Sequence, residues 1–317
     1  MSIFFSHDTA LEHLRSQAAE REFPLCYAVP RHDVPRGAAL ADAGLHAFGI
    51  HERPYHVLVA DAASRGKSQL VRSHVCAAAY PPGSFRRLTH DLYVSSPELC
   101  FLQLAPSLPF CRLALLGMEL CGGYALDADD SEGFRRREPL STAAALRRVS
   151  QRFSGVKGAK PARLAARFLV DGALSPMEAA VVLLLCAPTS RGGYGLAPPV
   201  LNAEVRLTRL SARWPASRFC DLYWPARRLA IEYDSNRFHV GADRIARDAS
   251  RRAQLAREGV TVLTLTWDQV RDVIQFHEVA LLVAARLQGG FRCSRSDWAS
   301  RRAELRRQVL PGRRLDW

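Results

Sequence analysis

The stretch 219–239 combines three acidic side chains with one histidine, and the spacing of the acids predicts a divalent metal site. Glu232 and Asp234 share one face of a strand pattern, and Asp221 lies in the strand pattern before it. Carboxylates this close repel each other, so one would keep its proton unless a cation is bound. Mg²⁺, or Mn²⁺ in its place, takes carboxylate oxygens and can activate water against a phosphodiester. We therefore predict that Asp221 and Glu232 hold the ion, with Asp234 beside them.

Each of these acids also has an ordinary structural interpretation. Asp221 could pair with Arg227 or Arg228 near a turn. Glu232 and Asp234 could be solvated on an open sheet face, and ion pairs perturb carboxylates much as active sites do. The metal prediction therefore depends on the three acids acting together.

The elements that must position these acids follow the order strand, strand, helix, strand. Strand patterns cover 219–224 and 228–234, and the short gap between them predicts an antiparallel hairpin. A helix is predicted over 242–258 and ends at Gly259, a residue typical of helix C-termini. The β-branched apolar run 260–265 predicts a buried strand.

This arrangement resembles the PD-(D/E)XK nuclease superfamily, in which an acid on one strand is followed by a second acid on the next. It is more closely similar to the very-short-patch repair (Vsr) endonucleases. The matching features are Asp-Leu-Tyr-Trp-Pro at 221–225, the run 228–234, Phe238-His239, the basic helix around Asp248 and Arg251, Glu258-Gly259 and the strand ending at Thr266-Trp267. The resemblance covers roughly the last 140 residues, about one domain. It implies a restriction-endonuclease-like α/β domain that cleaves DNA with Mg²⁺ or Mn²⁺.

Two departures from the family pattern bear on the chemistry. The usual lysine of the second motif is absent, Asp234 stands in its place, and no lysine follows Lys160. The Vsr-like branch manages without that lysine and uses histidine, so the resemblance gives the acid–base role to His239. The structural zinc site of Vsr enzymes has no visible equivalent, because Cys220 and Cys293 lack CxxC spacing.

The predicted helix over 242–258 supplies three further site residues. Arg251 and Arg252 would stabilise the charge of the phosphate. Asp248 is either an additional site residue or a helical ion-pair partner of these arginines, which lie three and four positions further on.

Glu178 completes the set of acids. Ser175-Pro176-Met177-Glu178 is a capping box with proline at the first helical position, and an apolar helix follows it. In the superfamily a helix at this place contributes an acid to the active site, and Glu178 matches it. The cap alone also explains this residue, so both interpretations stay open.

Composition and charge favour a nucleic-acid partner. The chain has 317 residues, predicting two domains, and a formal net charge of +13, which favours a polyanion. The segment 133–167 carries ten lysines and arginines and one acid, with helices predicted at 141–153 and 161–170. It is either a solvated linker or a surface that contacts phosphates. The residues predicted to bind DNA are Arg147, Arg148, Arg152, Lys157 and Lys160.

The predicted organisation is a smaller α+β N-terminal domain at 1–130, a basic helical linker at 131–172 and the nuclease-like α/β domain at 173–317. The last consists of a β-hairpin, helix and strand core flanked by helices. Further strands are predicted at 56–60, 91–94 and 204–210, and further helices at 97–104, 268–287 and 296–309.

The N-terminal part faintly resembles the AbiEi-type antitoxins and regulators, over about 120 residues or roughly one domain. The points of contact are Ser-His-Asp-Thr-Ala at 6–10, with Ser6 as a helix cap, and Ser-Pro-Glu at 96–98. The segment 65–68 lacks the first glycine of a phosphate-binding loop, so nucleotide binding is not predicted. Ordinary roles are favoured for five histidines that lack metal-ligand spacing. They are His46, His51, His56, His74 and His90.

The eight cysteines are scattered without paired or metal-ligand spacing, which predicts small core residues in a reducing cytoplasm. No signal-peptide pattern opens the sequence, and the longest apolar run is too short to span a bilayer, so no membrane partner is expected.

Three functions follow from the sequence. The first is a metal-dependent DNA endonuclease, with a role in phage defence or DNA repair implied by the resemblance. The alternative is a non-catalytic DNA-binding regulator on a degenerate nuclease scaffold, with a toxin-like protein or a second copy of the chain as partner. The third is a nuclease acting on RNA.

Overall fold

The computed structural model describes most of the chain, which divides into two compact units. The described residues are 2–21, 23–26, 28, 40, 44–65, 68–75, 79–153, 155–207, 216–234 and 242–311, with the backbone alone for residues 216 and 242–248. The N-terminal unit comprises Met1–Cys121 and Ala125–Leu169, and the C-terminal unit comprises Gly122–Tyr124 and Val170–Trp317. Helices and strands occur in both units, which confirms the predicted α/β class.

Six strands of the N-terminal unit form one mixed sheet. These strands and the first helix are β1 (Ile3–Phe5), α1 (His7–Arg15), β2 (Leu25–Cys26), β3 (Tyr55–Val59), β4 (Val71–Val75), β5 (Phe85–Arg87) and β6 (Leu92–Ser95). Their order in the sheet is β2-β5-β6-β1-β3-β4. β1 is parallel to β6 and antiparallel to β3, and β3 is parallel to β4. The strands predicted at 56–60 and 91–94 are confirmed as β3 and β6, each shifted by one residue.

Four helices and a two-stranded sheet continue the chain to residue 169. They are α2 (Pro97–Leu104), α3 (Phe110–Leu120), β7 (Tyr124–Leu126), β8 (Phe134–Arg136), α4 (Ala143–Arg152) and α5 (Ala159–Ala166). α2 begins as predicted, because Ser96 Oγ accepts a hydrogen bond from Leu99 N at 3.3 Å. Ser6 precedes α1 as predicted, but its side chain makes no capping bond and its Oγ lies 3.0 Å from His7 Nδ1 instead.

A buried ion pair ties α1 to α3. Glu119 is 2% exposed, and its carboxylate accepts two hydrogen bonds from Arg15, at 2.8 and 2.7 Å. Burial alone would raise the pKa of Glu119, but the charge and hydrogen bonds of Arg15, the charge of Arg137 and a bond from Leu126 N together lower it.

The predicted division of the chain differs from the observed one. Residues 131–169 belong to the N-terminal unit, which is the larger of the two, and do not form a separate linker. The acidic stretch 127–132 is the turn between β7 and β8, and the side chain of Asp127 accepts a hydrogen bond from Asp129 N within it at 3.1 Å. Its turn-forming acids shape a hairpin, although their composition is also typical of a linker.

The C-terminal unit contains a four-stranded sheet and five helices in the described part of the chain. They are α6 (Pro176–Cys186), β9 (Val200–Leu207), β10 (Ala216–Trp224), β11 (Leu229–Asp234), α7 (Ala242–Arg257), β12 (Thr261–Thr266), α8 (Trp267–Arg271), α9 (Val273–Gln288) and α10 (Trp298–Val309). The sheet order is β12-β11-β10-β9. β10 is antiparallel to β9 and β11, and β12 is parallel to β11, as expected for strands joined by a helix.

Most predicted elements of this unit are confirmed. β10 and β11 form the predicted hairpin, α7 ends just before Gly259, and every residue of α6 is buried. Leu255 of α7 packs in one apolar cluster with Val205, Cys220 and Ala230 of the sheet. β9 starts at Val200, earlier than predicted, and residues 208–210 lie outside the described part.

One predicted helix, over 268–287, is divided into α8 and α9. Asp272 has an extended backbone, and its Oδ1 accepts hydrogen bonds at 2.8 Å from Ile274 N and Gln275 N. An aspartate in this geometry starts a new helix, and the apolar periodicity that continues through it does not reveal the break. No helix among the described residues has the length and apolar character needed to cross a membrane.

Candidate functional site

Glu178 lies at the start of α6 and has more partners than a helix cap requires. Ser175 Oγ accepts from Glu178 N at 3.2 Å, as a cap does. The carboxylate of Glu178 accepts from Leu174 N at 2.9 Å, from Ser175 Oγ at 3.0 Å and from Asn202 Nδ2 at 2.6 Å. Burial raises the pKa of Glu178, and the negative charge of Asp221 raises it further, although the three hydrogen bonds oppose this rise.

Asn202 brings Glu178 and β10 together. Cys220 pairs with Ala203 and Leu222 pairs with Leu201, so Asn202 lies next to Asp221 across the two strands. Its φ of +47° is in the left-handed region, which asparagine tolerates better than most residues. The amide of Asn202 donates to Glu178 and to Gly172 O, the latter at 2.9 Å. The sequence prediction missed this residue, because the predicted strand began two residues after it.

Asp221 lies where the ladder between β10 and β11 ends. The last pair of residues in this ladder before Asp221 is Leu222 with Ile231. Beyond this pair the Oδ2 atom of Asp221 accepts a hydrogen bond from Tyr233 N at 2.8 Å, in the manner of a strand carbonyl. One oxygen of Asp221 thus has a structural task.

Glu232 is held by an arginine of α7. Arg251 Nη2 lies 3.0 Å from Glu232 Oε1, and the Glu232 side chain is only 18% exposed. Arg251 also donates to Phe219 O. In this structure the guanidinium of Arg251 neutralises Glu232, and its predicted contact with the phosphate stays a prediction.

Electrostatic effects on Cys220 connect Asp221 with Glu232. Burial raises the pKa of the Cys220 thiol to about 11, and the negative charges of Glu232 and Asp221 add to the rise while Arg251 opposes it. Asp221 in turn acts on Glu178. Asp221 therefore lies within electrostatic reach of Glu178, and both Asp221 and Glu232 lie within electrostatic reach of Cys220.

The remaining predicted site residues are less informative. Asp234 is half-buried at the end of β11, opposite Thr266 of β12, and Arg252 is exposed on α7. His239 and the side chain of Asp248 lie outside the described residues. Among the described residues, these acids do not form a group of three or more whose ligand atoms all lie within 4.8 Å of one another. The metal site at Asp221 and Glu232 stays a prediction.

The N-terminal unit contains a basic cavity between α4 and α5. Its volume is about 530 Å³, and four of the side chains that line it are cationic, with no acid among them. These cations are Arg147, Lys160, Arg163 and Arg167. The other predicted DNA-binding residues, Arg148, Arg152 and Lys157, are exposed on the same helices or on the loop between them. Such a concave group of cations is suited to binding phosphate.

Comparisons with models of protein families, with characterised proteins and with solved structures find no significant match to this chain.

Proposed function

We propose that the protein is a metal-dependent DNA endonuclease whose C-terminal unit hydrolyses phosphodiester bonds. The observation that carries the proposal is the position of Asn202, whose amide donates to Glu178 and which lies opposite Asp221 across the two strands. A helix cap needs one carboxylate, and here the negative charge of a second one acts on it. A buried carboxylate whose pKa is raised by a neighbouring carboxylate belongs to a donor set in which a hard divalent cation would relieve the repulsion. Glu178 and Asp221 would hold Mg²⁺ or Mn²⁺ between them, and Glu232 lies next in line.

Each residue of the site then has a separate task. Asn202 fixes the Glu178 carboxylate, and the Tyr233 N–H fixes that of Asp221, so neither acid has to be ordered when a cation binds. Arg251 forms an ion pair with Glu232, and a guanidinium group can donate two parallel hydrogen bonds to one phosphate. The bound ion would supply an activated water and charge stabilisation. His239 stays the proposed acid or base, as the resemblance implies.

The DNA substrate is supported by charge. The chain carries +13 overall, and the described lining of the cavity in the N-terminal unit has four cations and no acid. Contacts of this kind bind the phosphate backbone without reading the sequence, so their strength falls as salt concentration rises.

Plasmid nicking in Mg²⁺ or Mn²⁺ tests the proposal. The best variant is Asp221→Asn, because the amide oxygen of asparagine can still accept from Tyr233 N while the charge is lost. We expect the natural chain to nick the plasmid and Asp221→Asn to nick it at a rate that is lower by at least about 100-fold. Glu204→Gln is the matched control, because Glu204 is an exposed acid of the same sheet, and it should retain the full rate.

The ion pair between Arg251 and Glu232 favours a second function, a DNA-binding regulator without catalysis. An arginine on an acid of the site would then replace the cation permanently. In this case the natural chain would shift DNA mobility in a gel but leave the plasmid intact in both metals. Cleavage of structured RNA in place of the plasmid would instead indicate a ribonuclease.

A further inference from the structure

Three histidines of the N-terminal unit converge although they are far apart in the sequence. His7, His56 and His74 each offer one ligand atom, and these atoms all lie within 4.8 Å of one another. The rings of His7 and His74 stack with centroids 3.6 Å apart, and the ring of His56 lies 5.0 Å from that of His74. Among the described residues this is the group of three possible metal ligands that meets this distance limit.

The sheet places these histidines side by side. β3 and β4 are parallel, with His56 opposite Arg72 and Leu58 opposite His74. The two histidines are therefore two positions apart along paired strands and project from the same face. His7 follows β1, which pairs with β3, and its φ of +48° is unusual for a residue other than glycine. Backbone strain of this kind is found preferentially at functional sites.

Polar groups lie beside the Nδ1 atoms of two of these rings. His7 Nδ1 lies 3.0 Å from Ser6 Oγ in a hydrogen bond, and His56 Nδ1 lies 3.2 Å from Asp8 Oδ2 but makes no hydrogen bond within the described part of the chain. A carboxylate or hydroxyl on one ring nitrogen orients the imidazole and leaves Nε2 to bind a metal. His74 Nε2 is buried and makes no hydrogen bond within the described part of the chain.

The surroundings keep the imidazoles neutral, which metal binding requires. Burial lowers the pKa of His7 to about 3 and that of His74 to about 4, and the charges of His56 and Arg72 add to both effects. Burial also lowers the pKa of His56, and Asp8 opposes this. The positive charges of Arg72 and Arg65 weaken the binding of a metal ion that has no anionic ligand. The same charges would favour an anion as the fourth ligand of the bound metal.

We propose that His7, His56 and His74 form a binding site for a borderline transition-metal ion of the Zn²⁺ class, with a fourth position open to water or an anion. Neutral imidazoles select Zn²⁺, Co²⁺, Ni²⁺ or Cu²⁺ over Mg²⁺ and Mn²⁺. Zn–N bonds of about 2.0–2.1 Å in a tetrahedral site place two ligand nitrogens about 3.4 Å apart. Nitrogens separated by up to 4.8 Å therefore have to approach by as much as about 1.4 Å, and the stacked rings of His7 and His74 have to turn so that both lone pairs point at the ion. This site is independent of the acids of the C-terminal unit.

Zinc titration of the full chain by calorimetry, after stripping with EDTA, tests the proposal. We expect one Zn²⁺ per chain at this site and at least tenfold weaker binding in His74→Gln. The matched control is His46→Gln, because His46 and His51 form an exposed pair with Nδ1 atoms 2.6 Å apart and belong to no group of three possible ligands among the described residues. It should bind Zn²⁺ like the natural chain. Equal affinity in His74→Gln, or loss of binding in His46→Gln alone, overturns the proposal.

A second measurement does not depend on any variant folding. X-ray absorption at the zinc edge of the loaded natural chain should show three imidazole nitrogens around the metal. A shell of oxygen atoms, or two imidazoles, would assign the zinc to another place and reject the site.

Discussion

Replacement of Glu178 by glutamine separates its structural role from its proposed catalytic one. Glu178 Oε2 accepts from Leu174 N and Asn202 Nδ2, and Oε1 accepts from Ser175 Oγ. A glutamine oxygen at the position of Oε2 keeps the first two bonds, and its amide can donate to Ser175 Oγ. Bonds to a neutral acceptor are weaker by about 1 kcal/mol each at most, but the buried charge beside Asp221 is removed as well. We expect the free energy of unfolding to change by less than about 1 kcal/mol.

Cation binding should respond very differently to the same change. A ligand at 100 times its Kd stabilises the folded state by about 2.7 kcal/mol. Saturating Mn²⁺ should therefore add roughly that amount to the natural chain and almost nothing to Glu178→Gln.

Urea unfolding followed by tryptophan fluorescence measures both effects in the relevant unit. All five tryptophans lie at or beyond position 214, so their emission reports the C-terminal unit. Glu204→Gln serves again as control and should respond to Mn²⁺ like the natural chain. Equal stabilisation of Glu178→Gln by Mn²⁺ would refute the role of Glu178 in cation binding. A loss of more than about 3 kcal/mol without metal would show that its charge is needed for folding.

Two further predictions concern the N-terminal unit. Glu119→Gln breaks a buried pair but leaves Arg15 able to reach solvent, so we expect a loss of about 3 kcal/mol, the low end for such pairs. Circular dichroism should show that the N-terminal unit of Glu119→Gln unfolds at a lower urea concentration, while the transition followed by tryptophan fluorescence stays unchanged. A decrease of less than about 1 kcal/mol in the free energy of unfolding would contradict the reasoning. Burial lowers the pKa of His13 to about 4, below its unfolded value of 6.5. The contribution of His13 to the stability of the folded state is therefore complete above pH 6.5 and is lost as the pH falls toward 4. Between pH 7 and pH 4.5, the free energy of unfolding of His13→Asn should therefore fall by about 2.5 kcal/mol less than that of the natural chain. Urea unfolding of both chains at both pH values measures this difference. Parallel pH curves for the two chains would show that His13 does not titrate in this range.

The sequence predicts those parts of the fold that depend on local chemistry. Alternating side chains and the break at Pro225 determine the hairpin of β10 and β11, and the capping box at Ser175 determines where α6 begins. Gly259, with a φ of +79°, follows the end of α7 as predicted.

The parts that the sequence does not predict depend on pairing between distant segments. The positions of His56 and His74 follow from the register of two parallel strands, which no local pattern specifies. Asn202 enters the site through an unusual backbone angle, and a polar residue at the edge of a strand pattern gives no sign of that. The ion pair of Arg251 with Glu232 joins a helix to a strand, and no local sequence pattern specifies such a contact.

The complete burial of α6 limits how the chain can be shortened. All eleven residues of this helix are enclosed, and the cap that starts it extends back to Leu174, whose N–H binds the Glu178 carboxylate. A truncated C-terminal fragment that starts after this helix would leave a long apolar trough on the remaining sheet and helices, a surface prone to aggregation. A fragment meant to stand alone must therefore begin before Leu174, and Val170, where the C-terminal unit resumes, is the natural starting point.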